Sequence, residues 1–200
     1  MKEKIMNIYS ILIIPFILVS MTAIADDEKY VIDESHFSLG FLVEHAGYAK
    51  TLGMFKDIEG SFLYNEEENL VKDINIIVKT SSVFTNHEKR DAHLRSPDFL
   101  NVDVYPEMLF KSNKSDISTR PLKIIGSLTL LGITKPLVLE ASINKIAKYP
   151  FRIGISKPIV MGVSARASFN RSDFGMNYAV DKNLVGNNID LIIEFEARKQ

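Results

Sequence analysis

Apolar residues recur at every second position in one segment of this chain after another, and that period constrains the fold more than anything else in the sequence. Phe37, Leu39, Phe41 and Val43 alternate with His36, Ser38 and Glu44, with Leu42 as an apolar exception. Ile58, Gly60, Phe62 and Tyr64 follow the same rule, then Ile74, Ile76 and Val78, then Met108 and Phe110. Leu137, Leu139, Ala141 and Ile143 form a fifth set, Val163, Ala165, Ala167 and Phe169 a sixth, and Ile189, Leu191, Ile193, Phe195 and Ala197 a seventh. Residues 122–131 are apolar at both phases and resist assignment to a face. A period of two puts successive side chains on opposite faces of a strand, whereas a helix needs a period near 3.6. One wet and one apolar face per strand marks antiparallel pairing. About eight such strands, with no helices interleaved among them, predict an all-β sandwich or barrel. Several runs reach about nine to twelve residues against a usual five or six. Closure removes edges that long strands would otherwise expose, which favours an extended antiparallel β-barrel.

The turns fit this reading. Residues 65–69 form a charged hairpin tip, Gly132 punctuates the 131–136 link, and Gly186 sits in a polar stretch before the last strand. One connection is different. About 25 residues separate the strand ending near Lys79 from the one beginning near Tyr105, far beyond a hairpin loop of two to five. Thr85 and Glu88 have capping-box spacing, Asp91 and Arg95 stand at i,i+4, and Ser96-Pro97 supplies a stop. One short helix over 86–95 is therefore expected, covering one end of the barrel, with 47–53 as a second loop beside the same mouth.

The first 25 residues have the three-part order of a secretory signal peptide. A basic start (Met1–Lys4) precedes an uncharged run from Ile5 to Ala25, which ends in Ala23-Ile24-Ala25. Cleavage after Ala25 is expected, leaving a single domain over 26–200 outside the cytoplasm. The formal charge of −1 becomes −2 once Lys2, Glu3 and Lys4 are lost, and interspersed signs offer no basic face for nucleic acid. The absence of cysteine excludes disulfides, thiolate metal sites and a cysteine nucleophile.

Catalytic patterns are sparse. His87 and His93 stand six apart, about 240° around a helix, so they share no face. With Asp91 and several serines they could be assembled on paper into a hydrolase or metal-dependent site, but no G-x-S-x-G elbow accompanies them. Asp173-Phe174-Gly175 matches a kinase tripeptide but lacks every other kinase element, and reads as a turn with Gly175 at positive φ. Lys89, Arg90 and Arg95 form a local basic cluster, either a solvated helix face or a polar rim for a head group. The apolar inner face is either a packed core or the wall of a ligand cavity, and periodicity does not separate the two.

Several motifs in order resemble the YceI-like family. They are Tyr30-Val31-Ile32-Asp33 with Ser35-His36-Phe37-Ser38, Gly53-Met54-Phe55, Arg90-Asp91-Ala92-His93-Leu94-Arg95-Ser96-Pro97-Asp98-Phe99-Leu100, Gly132-Ile133-Thr134-Lys135-Pro136 and Arg171-Ser172-Asp173-Phe174-Gly175. The resemblance spans about residues 30–197. It implies a lipocalin-like barrel whose tube holds a polyisoprenoid or other long-chain lipid, in exported and often dimeric proteins, with no cofactor and no catalytic residues to carry over. The expected wall is Phe37, Leu39 and Phe41, then Phe62, Ile76 and Val78, then Met108 and Phe110, then Leu139, Val163 and Ala165, then Leu191 and Ile193. Arg90, His93 and Arg95 are the expected head-group contacts.

Overall fold

The computed structural model describes residues 26–200, so the leader expected over 1–25 lies outside the described residues. Ten strands and one helix follow in order: β1 (Glu28–His45), β2 (Ala49–Phe55), β3 (Ile58–Asn65), β4 (Leu70–Lys79), β5 (Val83–Phe84), α1 (Glu88–Arg95), β6 (Glu107–Asp116), β7 (Leu122–Leu130), β8 (Ile133–Lys148), β9 (Ile159–Asn170) and β10 (Val185–Lys199). The ring runs β10-β9-β8-β7-β6-β4-β3-β1, and β1 pairs again with β10, which closes an eight-stranded antiparallel barrel. β1 is long enough to use one edge twice, pairing with β3 over Glu28–Val31 and with β2 over Leu39–His45. β5 extends β2 by two residues.

The alternation phases every strand as expected, including the ambiguous one. In β7, Leu122, Ile124, Leu128 and Leu130 are buried while Ile125 is 63% exposed. Two departures have local causes. Asp73, with φ of 49°, adds a residue to β4 against β3, so Val71 and Ile74 share the inner face although three residues apart. β6 shifts phase at the same level and leaves β7. There the Ser112 hydroxyl donates to the Ile125 carbonyl at 2.7 Å and the Ser115 hydroxyl accepts from the Ile125 N–H at 3.0 Å, replacing the missing ladder.

The segment 47–53 is no loop. Ala46 and Gly47 take positive φ in a tight turn, and β2 begins at Ala49. Lys50 consequently points outward and meets Asp190 at 2.6 Å.

β1 carries the largest irregularity. Ile32 faces Ala197 but Phe37 faces Phe195, so residues 33–36 bulge from the wall. Asp33, 6% exposed, pins the bulge. Its carboxylate accepts from the Ser35 N–H (3.1 Å), the Ser35 hydroxyl (2.7 Å) and Arg198, and lies 3.0 Å from His36 Nδ1. Burial alone pushes this carboxyl up, but the hydrogen bonds from Arg198, Ser35 and His36 outweigh it and hold it well below the usual range. A depressed folded pKa stabilises above the unfolded value, near 3.9, and that contribution fades as pH falls through the folded value. Asp33→Asn should therefore lower the melting temperature at pH 5–7 and flatten its fall below about pH 4. Thermal melts across that range check this, and an unchanged acid limb would refute it.

Candidate functional site: an apolar cavity inside the barrel

The inner faces enclose a cavity of about 220 Å³, to which every barrel strand contributes side chains. Phe37, Leu39 and Phe41 come from β1, Phe62 from β3, and Ile76 and Val78 from β4. Met108 and Phe110 (β6), Leu139 (β8), Val163 and Ala165 (β9), and Leu191 and Ile193 (β10) complete the set expected from the sequence, and all thirteen line the void. The belt Leu122–Ala141–Ala165–Ile193–Leu39–Phe55 follows paired residues around the wall, so its two alanines stand side by side.

Glycine keeps large rings against the wall. A Cβ at Gly53 would lie 2.2 Å from Phe41 Cζ, and one at Gly126 would lie 2.4 Å from Phe110 Cζ. Each ring lies across a neighbouring strand where no side chain intervenes. Gly126→Ala would also meet the Lys111 carbonyl at 2.6 Å, so it forces Phe110 inward and strains the strand. We expect a loss of about 1–3 kcal/mol in urea unfolding.

The two ends differ. The floor is plugged by Tyr30, fully buried, stacked on Phe62 with ring centroids 5.6 Å apart and meeting Tyr64 edge-on at 6.1 Å. Burial and the nearby Glu28 push the Tyr30 phenol up to about 12. The roof is made by α1 and the turn after it: Leu94, Phe99 and Leu100 face the cavity. Helix placement thus matches the expectation, but its capping does not. His87 is the N-cap and its Nδ1 accepts from the Arg90 N–H at 3.2 Å. Thr85 instead donates its N–H to the buried Asp91 carboxylate at 2.8 Å, so Asp91 is drawn away from Arg95.

The three polar residues assigned to a head group do not line the cavity. Arg90 folds back on Thr85, its Nε 2.7 Å from the hydroxyl and its Nη2 2.7 Å from the carbonyl. His93 pairs with Asp98 at 2.9 Å, its ring edge-on to Phe99 and Tyr178 at 5.0 Å. Arg95 borders a shallow outer groove beside Lys56, Phe84 and His87. Sequence spacing put them near the mouth, but local hydrogen bonds already engage Arg90 and His93 on the outside of the roof. The same geometry separates His87, Asp91 and His93, each engaged by a different neighbour.

The charged residue that does line the cavity is Arg171, 1% exposed. It opens the 3-10 turn Arg171–Phe174 after β9. Its guanidinium donates to four carbonyls: Nε to Gly186 (2.8 Å), Nη1 to Met176 (2.8 Å), and Nη2 to Tyr178 (2.8 Å) and Val185 (2.9 Å). Burial lowers its pKa, and the carbonyl dipoles take the place of water. Among the described residues it forms no ion pair. A signal for it exists in the sequence, because Arg171 continues the phase of 163, 165, 167 and 169 one step past the end of β9.

The fold and the site together define a small closed antiparallel β-barrel that keeps an apolar void in its interior. The chain belongs to the YceI-like family, whose domain matches residues 30–197. Protein YceI of Shigella flexneri is 36% identical over 179 residues, 90% of each chain. The YCEI protein of Campylobacter jejuni superposes with a TM-score of 0.68 at 29% identity, covering 78% of this chain and 90% of the other. A polyisoprenoid binding domain from Saccharophagus degradans shares the fold alone, at 9% identity with a TM-score of 0.57, covering 86% and 98%.

Proposed function

We propose that this protein binds the tail of a long-chain isoprenoid or similar amphiphilic lipid inside the barrel and carries it in the periplasm after export. The observation that carries the reading is a cavity walled by apolar side chains from every barrel strand, with its one charged residue consumed by carbonyls. Such a wall offers no orienting hydrogen bonds and favours a ligand whose binding energy is hydrocarbon burial, about 0.8 kcal/mol per methylene. The volume lies below the ~300–1,000 Å³ of sites for drug-sized ligands, which favours a slender chain over fused rings. Longer tails are accommodated by rotation of flexible lining residues such as Met108, Met161 and Met176. The shared fold of a polyisoprenoid binding domain supports the same reading. The basic start and uncharged run before Ala25 support export. Binding is favoured over hydrolysis because His87, Asp91 and His93 do not converge.

A series of prenols of increasing length tests the proposal. Affinity should rise steeply with each isoprene unit and then level off once the tube is full. Equal affinity for short and long members would contradict it.

A further inference from the structure

The β8–β9 hairpin ends in a tip that the cavity does not use. Residues 149–158 lie beyond the paired strands, and two of their side chains are apolar and bare: Phe151 is 68% exposed and Ile155 is 96% exposed. Ile155 does not hang on a loose loop. The bridge between Ile153 and Ser156, with an N–H to carbonyl distance of 2.9 Å, closes a tight turn that has Gly154 at φ of 61° and Ile155 at its apex. Phe151 is braced by Tyr149, ring centroids 5.8 Å apart, and Lys157 ties back to the Pro150 carbonyl at 2.7 Å. The knobs are held outward.

The charges on the hairpin tip itself have one sign. Lys145, Lys148, Arg152 and Lys157 are all exposed, and no Asp or Glu occurs anywhere between Glu140 and Asp173. Beyond the hairpin, Glu196 engages Tyr149 and faces His36, with Asp33 and Arg198 acting on the same tyrosine. A second exposed apolar group of the barrel, Tyr48, Leu52 and Leu184, has mixed company in Lys50 paired with Asp190, together with Asp181 and Lys182. Glu66, Glu67 and Glu68 cap the β3–β4 hairpin at the same end of the barrel as the basic tip, but on the opposite side of the ring.

We propose that the β8–β9 tip is a docking element for an anionic lipid bilayer surface, with Phe151 and Ile155 entering the interface and the four cations meeting lipid phosphates. Apolar side chains flanked by Lys and Arg bind at the boundary between head groups and acyl chains, strengthened by anionic lipid. Charge decides among occupants. A second copy meeting it tip to tip would bring four more cations against the first four, and like charges oppose that contact. The acidic β3–β4 tip tilts the barrel so that its β8–β9 side faces the membrane. This docking stands independently of what the cavity holds.

The test is co-sedimentation of the purified protein with vesicles of phosphatidylethanolamine and phosphatidylglycerol, against vesicles of phosphatidylcholine alone. Binding should occur on the first and weaken with salt. Each cation near an anionic surface raises partitioning about five-fold, so Lys148→Gln with Arg152→Gln should reduce it more than ten-fold. Phe151→Ser with Ile155→Ser should do the same while leaving the thermal melt and any copurified lipid unchanged, since neither side chain packs in the core. The chain has no tryptophan, so Phe151→Trp makes a single reporter whose emission should shift to the blue on anionic vesicles only. Equal sedimentation with both vesicles, or binding untouched by the tip variants, would overturn the proposal. So would a concentration-dependent dimer that the serine variants dissociate in the absence of vesicles. Loss of cavity lipid leaves these outcomes unaffected, so failure of either reading is seen separately.

Discussion

Replacing Arg171 by methionine should destabilise the protein by about 3–5 kcal/mol, the largest effect expected of any single substitution here. The guanidinium is buried and joins four carbonyls from a segment, 176–186, that otherwise has no regular pairing until β10 begins. Methionine matches its length and leaves those carbonyls facing the interior, each costing roughly 1–3 kcal/mol if no water reaches it. Part of that is relieved when the segment opens, so the loss is smaller than the sum. For a domain of this size it corresponds to a fall in melting temperature of roughly 10–15 °C. Arg171→Lys should recover only part, because an ammonium with three donors cannot serve four acceptors in a planar fork. Urea unfolding of both variants checks the ordering. A loss below about 1 kcal/mol for methionine would show that the carbonyls find water easily and that the clamp is dispensable.

The second large effect concerns the ligand. Ala165→Phe should cut the amount of lipid that copurifies by ten-fold or more while the protein remains folded. Ala165 is 4% exposed, lines the cavity, and sits between Ala141 and Ile193 in the paired belt, so a ring there enters the void. The cost of overpacking, about 1–3 kcal/mol, is moderated because space is available. Ser168→Phe, outward-facing and exposed on the same strand, is the control and should retain lipid. Undiminished lipid in the Ala165→Phe protein would place the tail elsewhere.

Which parts of this were legible in the sequence follows from the physics of each signal. The inner wall was readable because strand geometry forces a period of two: Phe37, Leu39 and Phe41, or Ala165 and Leu191, reach the same cavity for one backbone reason. The phase was lost where the backbone itself slips, as at Asp73, over 33–36 and between Ile143 and Lys145, and such irregularities leave no periodic trace. Polar roles were less legible, since they depend on which partner is nearest in space. Thr85 and Glu88 have capping spacing, yet His87 caps the helix because Thr85 is held by Asp91. Arg90 and His93 lie in the roof segment as expected, but Thr85 and Asp98 claim them. Arg171, read as part of a turn, was available from phase alone as an inward-facing charge.

Native mass spectrometry of the protein purified from its own host tests whether the barrel interior holds hydrocarbon. A hydrocarbon-filled barrel gives a population heavier than the polypeptide by the mass of one long-chain lipid, released on unfolding and recovered in the organic extract. A spectrum with only the polypeptide mass, together with an extract free of stoichiometric lipid and no uptake of long prenols added afterwards, would contradict it.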